Sequence, residues 1–171
     1  MLSLLVPSNV SLEWGDNFLK VIGPLGYIIK HKNKISLALK NNRLYILDVE
    51  SNEKKHFYLT LLRALIIGVS KGYRQKLKLV GVGYKASIKD KNLVLKLGFS
   101  HEIIYPIPED ISIQCSKNKG ILILVTGKEF FRVCQVISEI RSYRKPDVYK
   151  GKGIHYYKEK IILKKGKREN K

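Results

Sequence analysis

The sequence has few acidic residues for its length. Against 33 Lys and Arg stand 14 Asp and Glu, which gives 171 residues a formal net charge of +19 at pH 7. Repulsion among so many like charges destabilises a compact chain unless a partner of opposite sign neutralises them. The imbalance therefore predicts a polyanionic partner and argues against an enzyme that acts on a neutral small-molecule substrate.

Cysteine and long apolar runs are also scarce. The two cysteines, Cys115 and Cys134, are too few and too irregularly spaced for a disulfide framework or a zinc site, so we expect no metal and a reducing compartment. No run of about 18 apolar residues occurs, so no membrane span is expected. No Lys or Arg precedes Lys20, which argues against a secretory or transit peptide and predicts use where the chain is made.

What the sequence does contain is typical of two small α+β units. Hydrophobic residues make up 44% of the chain, enough for real cores. Alternating apolar residues predict strands over 10–14, 19–22, 36–40 and 44–49, with a turn at Asn41-Asn42, followed by a helix over 54–71 that Gly72 ends. A second series predicts strands over 76–88, 93–99, 102–107, 111–116 and 121–127, with a turn over 90–92. A second helix follows, with an apolar stripe at Phe130, Val133, Cys134, Ile137 and Ile140, and it must end before Pro146.

The two units also share a sequence pattern. Pro-x-x-Val-x-Leu at 7–12 is echoed by Pro-x-x-Ile-x-Ile at 108–113, and Val-Ile-Gly at 21–23 by Val-Thr-Gly at 125–127. We interpret this as an internal duplication, with each copy a mostly antiparallel sheet covered by one helix. The predicted divisions are an N-terminal domain over 1–75, a C-terminal domain over 76–158 and a basic tail over 159–171.

Two short motifs resemble nucleotide-binding loops. GVGYKA at 81–86 fits the spacing of a dinucleotide fingerprint, but the residues that follow predict a strand where that fingerprint needs a helix. Glycines that permit a tight bend in a sheet explain it better. VTGK at 125–128 lacks the upstream glycine and has Glu129 where a phosphate-binding loop needs Ser or Thr. No nucleotide or other cofactor is therefore expected.

Catalytic residues do not form a recognisable pattern. The four histidines lie far apart, and Cys134 on an apolar stripe indicates a small core residue rather than a nucleophile. The alternative to a binding protein is an RNA-acting enzyme with a basic docking tail. Such an enzyme would need clustered carboxylates, and no metal-binding spacing links Glu13, Asp48, Glu102 and Glu139.

Positive charge is concentrated at the C-terminal end. From residue 141 onward there are 12 Lys or Arg and 3 acids, so under a fifth of the chain carries nearly half of the net charge. The stretch YRKPDVYKGKGIHY, 143–156, interleaves these cations with Tyr and Gly. Cations can neutralise phosphates, glycine can allow close backbone approach, and Tyr149, Tyr156 or Tyr157 can stack on a base. A solvated basic tail is the alternative interpretation.

At these residues the chain resembles a known family. PDVYKGKGI at 146–154 is similar to the C-terminal signature of large-subunit ribosomal protein six, in its bacterial and organellar branch. The similarity extends through ISEIRSYRKPD, GFSH at 98–101, LIIGVSKGYRQKLKLVGVGYKA at 65–86 and GPLG at 23–26. It implies two similar α+β domains and a non-enzymatic protein that binds large-subunit ribosomal RNA, with the C-terminal domain over 76–158 as the main RNA-binding unit. The position that it implies on the ribosome is close to the sarcin-ricin loop, where translational GTPase factors dock. Neighbouring large-subunit proteins are then expected as further partners.

The resemblance also implies which residues contact RNA. By position these are Arg141, Arg144, Lys145, Tyr149, Lys150, Gly151, Lys152 and Gly153, with Ser100 and His101 as weaker candidates and His155 and Tyr156 beside the signature. His155 stands where relatives often have Arg, which weakens a permanent phosphate contact there. Leu25 removes a cation from the usual GPKG, so weaker RNA binding is expected of the N-terminal domain. The bias toward Ile, Lys, Asn and Tyr, with no import presequence, favours a mitochondrial ribosome over a plastid or AT-rich bacterial one.

Overall fold

A computed structural model describes residues 3–31, 36–47, 52–116 and 121–165. The chain divides into two compact units. The first comprises the residues up to Tyr73 together with Lys128–Phe130, and the second comprises Arg74–Gly127 and the residues from Phe131 onward. Neither described helix is both long and apolar enough to cross a lipid bilayer.

The described part of the first unit contains six strands and one helix. The strands are β1 (Ser3–Leu5), β2 (Ser11–Trp14), β3 (Phe18–Gly23), β4 (Gly26–His31), β5 (Ser36–Lys40) and β6 (Arg43–Leu47), and the helix is α1 (Asn52–Ser70). They form two three-stranded sheets, β1-β6-β5 and β2-β3-β4, and alternate strand residues join α1 in one apolar core. Gly72, at a φ of 72°, donates from its amide to Ile67 O and ends the helix as predicted.

In the second unit the described residues form seven strands and one helix. Its strands are β7 (Tyr73–Val80), β8 (Lys85–Lys89), β9 (Asn92–Lys96), β10 (Ile103–Pro106), β11 (Ile111–Ser116), β12 (Ile121–Gly127) and β13 (Gly153–Tyr156), and its helix is α2 (Phe130–Ser142). The sheets are β10-β9-β8 and β11-β12-β7-β13. The α+β class is confirmed, and the structure adds that the strands of each unit form two sheets.

Two predicted turns are tight hairpins. Asn41 and Asn42 have φ values of 50° and 57°, and Asp90 and Lys91 have φ values of 45° and 61°. The flanking residues pair directly in both hairpins, so each loop contains two residues. A loop in which both residues have positive φ matches the twist of the strands that it joins, and Asn and Asp tolerate that conformation.

The echoed motifs adopt the same local structure. The amide of Val10 donates to Pro7 O at 3.0 Å, and that of Ile111 donates to Pro108 O at 3.1 Å. Each turn leads into an antiparallel hairpin, β2-β3 or β11-β12. The repeated sequence pattern therefore corresponds to a repeated turn and strand pair.

The glycine at the end of each hairpin lies against a helix. A Cβ at Gly23 would be 2.8 Å from Val69 Cγ2 on α1, and a Cβ at Gly127 would be 2.8 Å from Val133 Cγ2 on α2. Any larger residue would push the helix away. Both glycines are therefore explained by packing, as is the VTGK stretch that resembles a phosphate loop.

Several sequence predictions need correction. The strands β1, β4 and β13 were not predicted, and the strand expected over 76–88 is interrupted by a turn at 81–84. In that turn Gly83 has a φ of 77°, in agreement with the tight bend proposed for GVGYKA. On α2 the buried residues are Val133, Val136, Ile137 and Ile140, whereas Cys134 is half-buried and Phe130 exposed. Residues 48–49, 117–120 and 166–171 of the predicted elements lie outside the described residues.

Candidate nucleic-acid interface

The segment between α2 and β13 forms a closed loop. Within residues 143–152, here called the basic loop, the Asp147 amide donates to Lys152 O at 2.8 Å and the Gly151 amide to Asp147 O at 3.0 Å. The Asp147 carboxylate accepts the Lys150 amide at 2.7 Å, which is a common way for aspartate to fix a turn. Pro146 after a helix would favour an extended segment, but here the backbone groups bond to one another and close the loop.

The two glycines of the signature are required by the chain itself. Gly151 has a φ of 64° and Gly153 a φ of 149°. Residues other than glycine rarely adopt such positive φ values. A Cβ at Gly153 would be 2.7 Å from Lys145 O and 2.7 Å from Pro146 Cα. Close approach of the loop to β13 thus explains Gly153, which is buried.

Three lysines of the basic loop project into solvent. Lys145, Lys150 and Lys152 are exposed, and Tyr149 beside them is 57% exposed. No carboxylate among the described residues forms an ion pair with any of the three. Because the loop backbone is fixed, these ammonium groups are held together on one short segment, available to neutralise phosphates.

Arg141 is engaged within the protein. Its guanidinium, in the last turn of α2, forms an ion pair with Glu159 and lies 4.7 Å from the ring centroid of Tyr156. The other Glu159 oxygen accepts the Tyr156 amide at 2.9 Å. Arg141 therefore holds the residues after β13 against the helix, and its charge is already balanced.

Arg144 joins two parts of the predicted site. Its Nη1 donates to Leu97 O at 2.7 Å, and its guanidinium lies 4.7 Å from the Phe99 centroid. The Phe99 ring stacks with His101 at 6.2 Å. Arg144 thus attaches the exposed loop that carries Ser100 and His101 to the basic loop. The two loops can therefore contribute to one RNA-binding surface.

We expect Arg144→Ala to release the loop that carries His101. Loss of the hydrogen bond and the contact with Phe99 should lower the free energy of unfolding by about 2 kcal/mol. Amide hydrogen exchange should rise over residues 97–101. The matched control is Arg74→Ala, which removes an exposed cation of β7. Unchanged exchange over 97–101 in Arg144→Ala would show that this side chain does not hold the loop.

The strand pair β7-β13 adds cations that sequence reasoning missed. Arg74, Lys76 and Lys78 alternate along β7 and are exposed, and Lys78 pairs directly with His155 of β13. His155 is half-buried, and its Nε2 donates to Gly151 O at 2.8 Å, so it also supports the basic loop. The sequence signal for this basic strand face was the run KLKL at 76–79, in which lysines alternate with leucines.

The cysteines are unpaired. Cys115 and Cys134 are both free and half-buried, and burial raises the pKa of each thiol. Across the described ranges no group of three or more His, Cys, Asp or Glu side chains is placed to hold a metal ion.

Comparison with known proteins identifies the family. The family described as Ribosomal protein L6 matches residues 80–157. The chain is 45% identical over 177 residues to "Large ribosomal subunit protein uL6m" of Reclinomonas americana, covering 96% of this chain and 95% of that protein. It is 39% identical over 173 residues to "Large ribosomal subunit protein uL6" of a Nitratiruptor species, covering 97% and 94%. With identity at this level along nearly its whole length, the chain belongs to the ribosomal protein L6 family.

Proposed function

We propose that this protein is a constituent of the large ribosomal subunit that binds large-subunit ribosomal RNA through its second unit. The observation that carries this proposal is the fixed basic loop, with Lys145, Lys150 and Lys152 exposed and unpaired among the described residues. Lys76 and Lys78 on β7 extend the positive surface beside it. As a member of a ribosomal protein family, the protein is a structural component rather than an enzyme.

The individual contacts follow from how each side chain is held. Lysines of the basic loop and of β7 bind phosphates, and Tyr149 stacks on an unpaired base. Arg141, Arg144 and His155 hold the surface in shape, and Ser100 and His101 form its margin. Gly151 and Gly153 set the path of the loop, and Tyr156 lies beside Arg141. Substitution of a residue in the first group should lower RNA affinity directly. Substitution of a residue in the second group should lower it by distorting the surface.

The proposed position on the ribosome is near the sarcin-ricin loop. The signature that the chain shares with its family supports this position, where translational GTPase factors dock and neighbouring large-subunit proteins pack. A mitochondrial ribosome is the proposed compartment. The 45% identity to a protein named uL6m supports it, together with the abundance of residues encoded by AT-rich codons.

Salt dependence of RNA binding tests the proposal. If five lysines each neutralise one phosphate, the slope of log K against log salt should be roughly −4. Affinity for large-subunit RNA, measured by fluorescence anisotropy, should then fall by about two orders of magnitude between about 50 and about 200 mM KCl. Tagged protein should co-sediment with large subunits. A slope near zero, or sedimentation only as free protein, would contradict the proposal.

A further inference from the structure

A groove in the second unit lies beside the proposed RNA surface. Its volume is about 720 Å³, and it is bordered by α2, β7 and the residues that follow β13. Cys134 and Ile137 of α2 form part of its wall, and Tyr156 and Tyr157 contribute aromatic rings. A cavity of this size is in the range that holds a small organic ligand.

Cations surround the groove. Arg74, Lys76 and Lys158 line it and are exposed. Among the described lining residues the one acid is Glu159, which has one oxygen paired with Arg141 and the other bonded to the Tyr156 amide. The groove therefore combines apolar and aromatic walls with an entrance of net positive charge.

We propose that this groove binds one unpaired nucleotide of an RNA. The base enters between the tyrosines and the α2 side chains, and its flanking phosphates lie against Arg74, Lys76 and Lys158. Unstacked bases in loops and bulges are the parts of RNA that proteins commonly receive on aromatic side chains. A free apolar ligand would not explain three cations at the entrance, and a duplex phosphate backbone would not explain the apolar depth.

Each aromatic ring of the groove has a cation beside it. The Lys76 ammonium lies 5.3 Å from the Tyr157 centroid, and the Arg141 guanidinium lies 4.7 Å from the Tyr156 centroid. Each tyrosine is thus held by a cation that covers one part of its ring, while 40% of Tyr156 and 48% of Tyr157 stay exposed. Both rings therefore leave aromatic surface on which a base can stack, with a cation nearby.

Alkylation of cysteine tests the inference, which rests on the proposed RNA binding. Cys134 lines the groove, whereas Cys115, on β11, does not and serves as the internal control. Iodoacetamide is applied to the full chain at mildly alkaline pH. The probes are four RNA hairpins, each with one unpaired A, G, C or U, and a fully paired hairpin. At an RNA concentration about ten times the Kd, occupancy of the groove should slow alkylation of Cys134 about tenfold.

Three outcomes are distinguishable when anisotropy is recorded in parallel. Protection of Cys134 by at least one bulged hairpin, without protection of Cys115 and without protection by the paired hairpin, supports the nucleotide site. Binding of every hairpin with unchanged Cys134 alkylation overturns the site and leaves RNA binding intact. If none of the hairpins binds at low salt, both proposals are overturned.

Discussion

Lys150→Glu combined with Lys152→Glu should release the protein from large-subunit RNA. Both ammonium groups are exposed on the fixed basic loop, so the change removes two phosphate contacts and places two carboxylates against the same phosphates. Affinity should fall more than about 100-fold at near-physiological salt, and the salt slope should decrease in magnitude by about 2. In a density gradient the tagged variant should move from the large subunit to the free-protein fractions.

A matched control separates position from net charge. Lys40→Glu combined with Lys54→Glu makes the same change in net charge at two exposed residues of the first unit. The control should lose only the long-range part of the attraction, less than about tenfold in affinity, and should still sediment with the large subunit. Normal assembly of the Lys150 and Lys152 variant, or equal loss in both, would show that the basic loop is not the main anchor.

Gly153→Ala should disrupt the interface without changing any charge. The new Cβ would lie 2.7 Å from Lys145 O and 2.7 Å from Pro146 Cα, so the basic loop and β13 must separate. We expect a loss of about 3 kcal/mol in the free energy of unfolding of the second unit. Hydrogen exchange should rise at Ile154, whose amide donates to Arg144 O, and RNA affinity should fall with it.

Gly83→Ala provides the comparison for this effect. Gly83 has a φ of 77°, yet a Cβ there would meet nothing within 4 Å. Only the backbone conformation is penalised, so the loss should be about 1 kcal/mol, and RNA affinity should stay the same. If the two variants were equally stable and bound RNA equally well, the contact of Gly153 with the loop would not matter for the site.

Local patterns in the sequence predicted much of the fold. Alternating residues located most strands, Gly72 marked the end of α1, and Asn41-Asn42 and Asp90 marked two hairpins, since each of these signals depends on near neighbours. The strand β13 was missed because its partner, β7, is far away in the sequence. A stretch containing Pro146 and two glycines resembles a loop until that partner is known.

The sequence predicted most of the basic residues that belong to the candidate site, but not which of them are exposed and which are bonded within the protein. The signature located the basic residues, and the exposed positions of Lys145, Lys150 and Lys152 agree with a role in binding. The sequence could not distinguish these lysines from Arg141 and Arg144, whose charges are used inside the protein. Nor did it reveal Lys76, because only the pairing of β7 with β13 brings that residue beside the signature.

The position of β13 at the edge of its sheet has a consequence for biogenesis. Its partner β7 is synthesised long before it, so during translation β7 lacks a neighbour on that side until residues 153–156 have been made. Only then can β7 and β13 pair, and only then do the lysines of β7 and of the basic loop reach their final positions. A nascent or truncated polypeptide therefore lacks the assembled surface, and incorporation into a ribosome would select for chains that have completed folding.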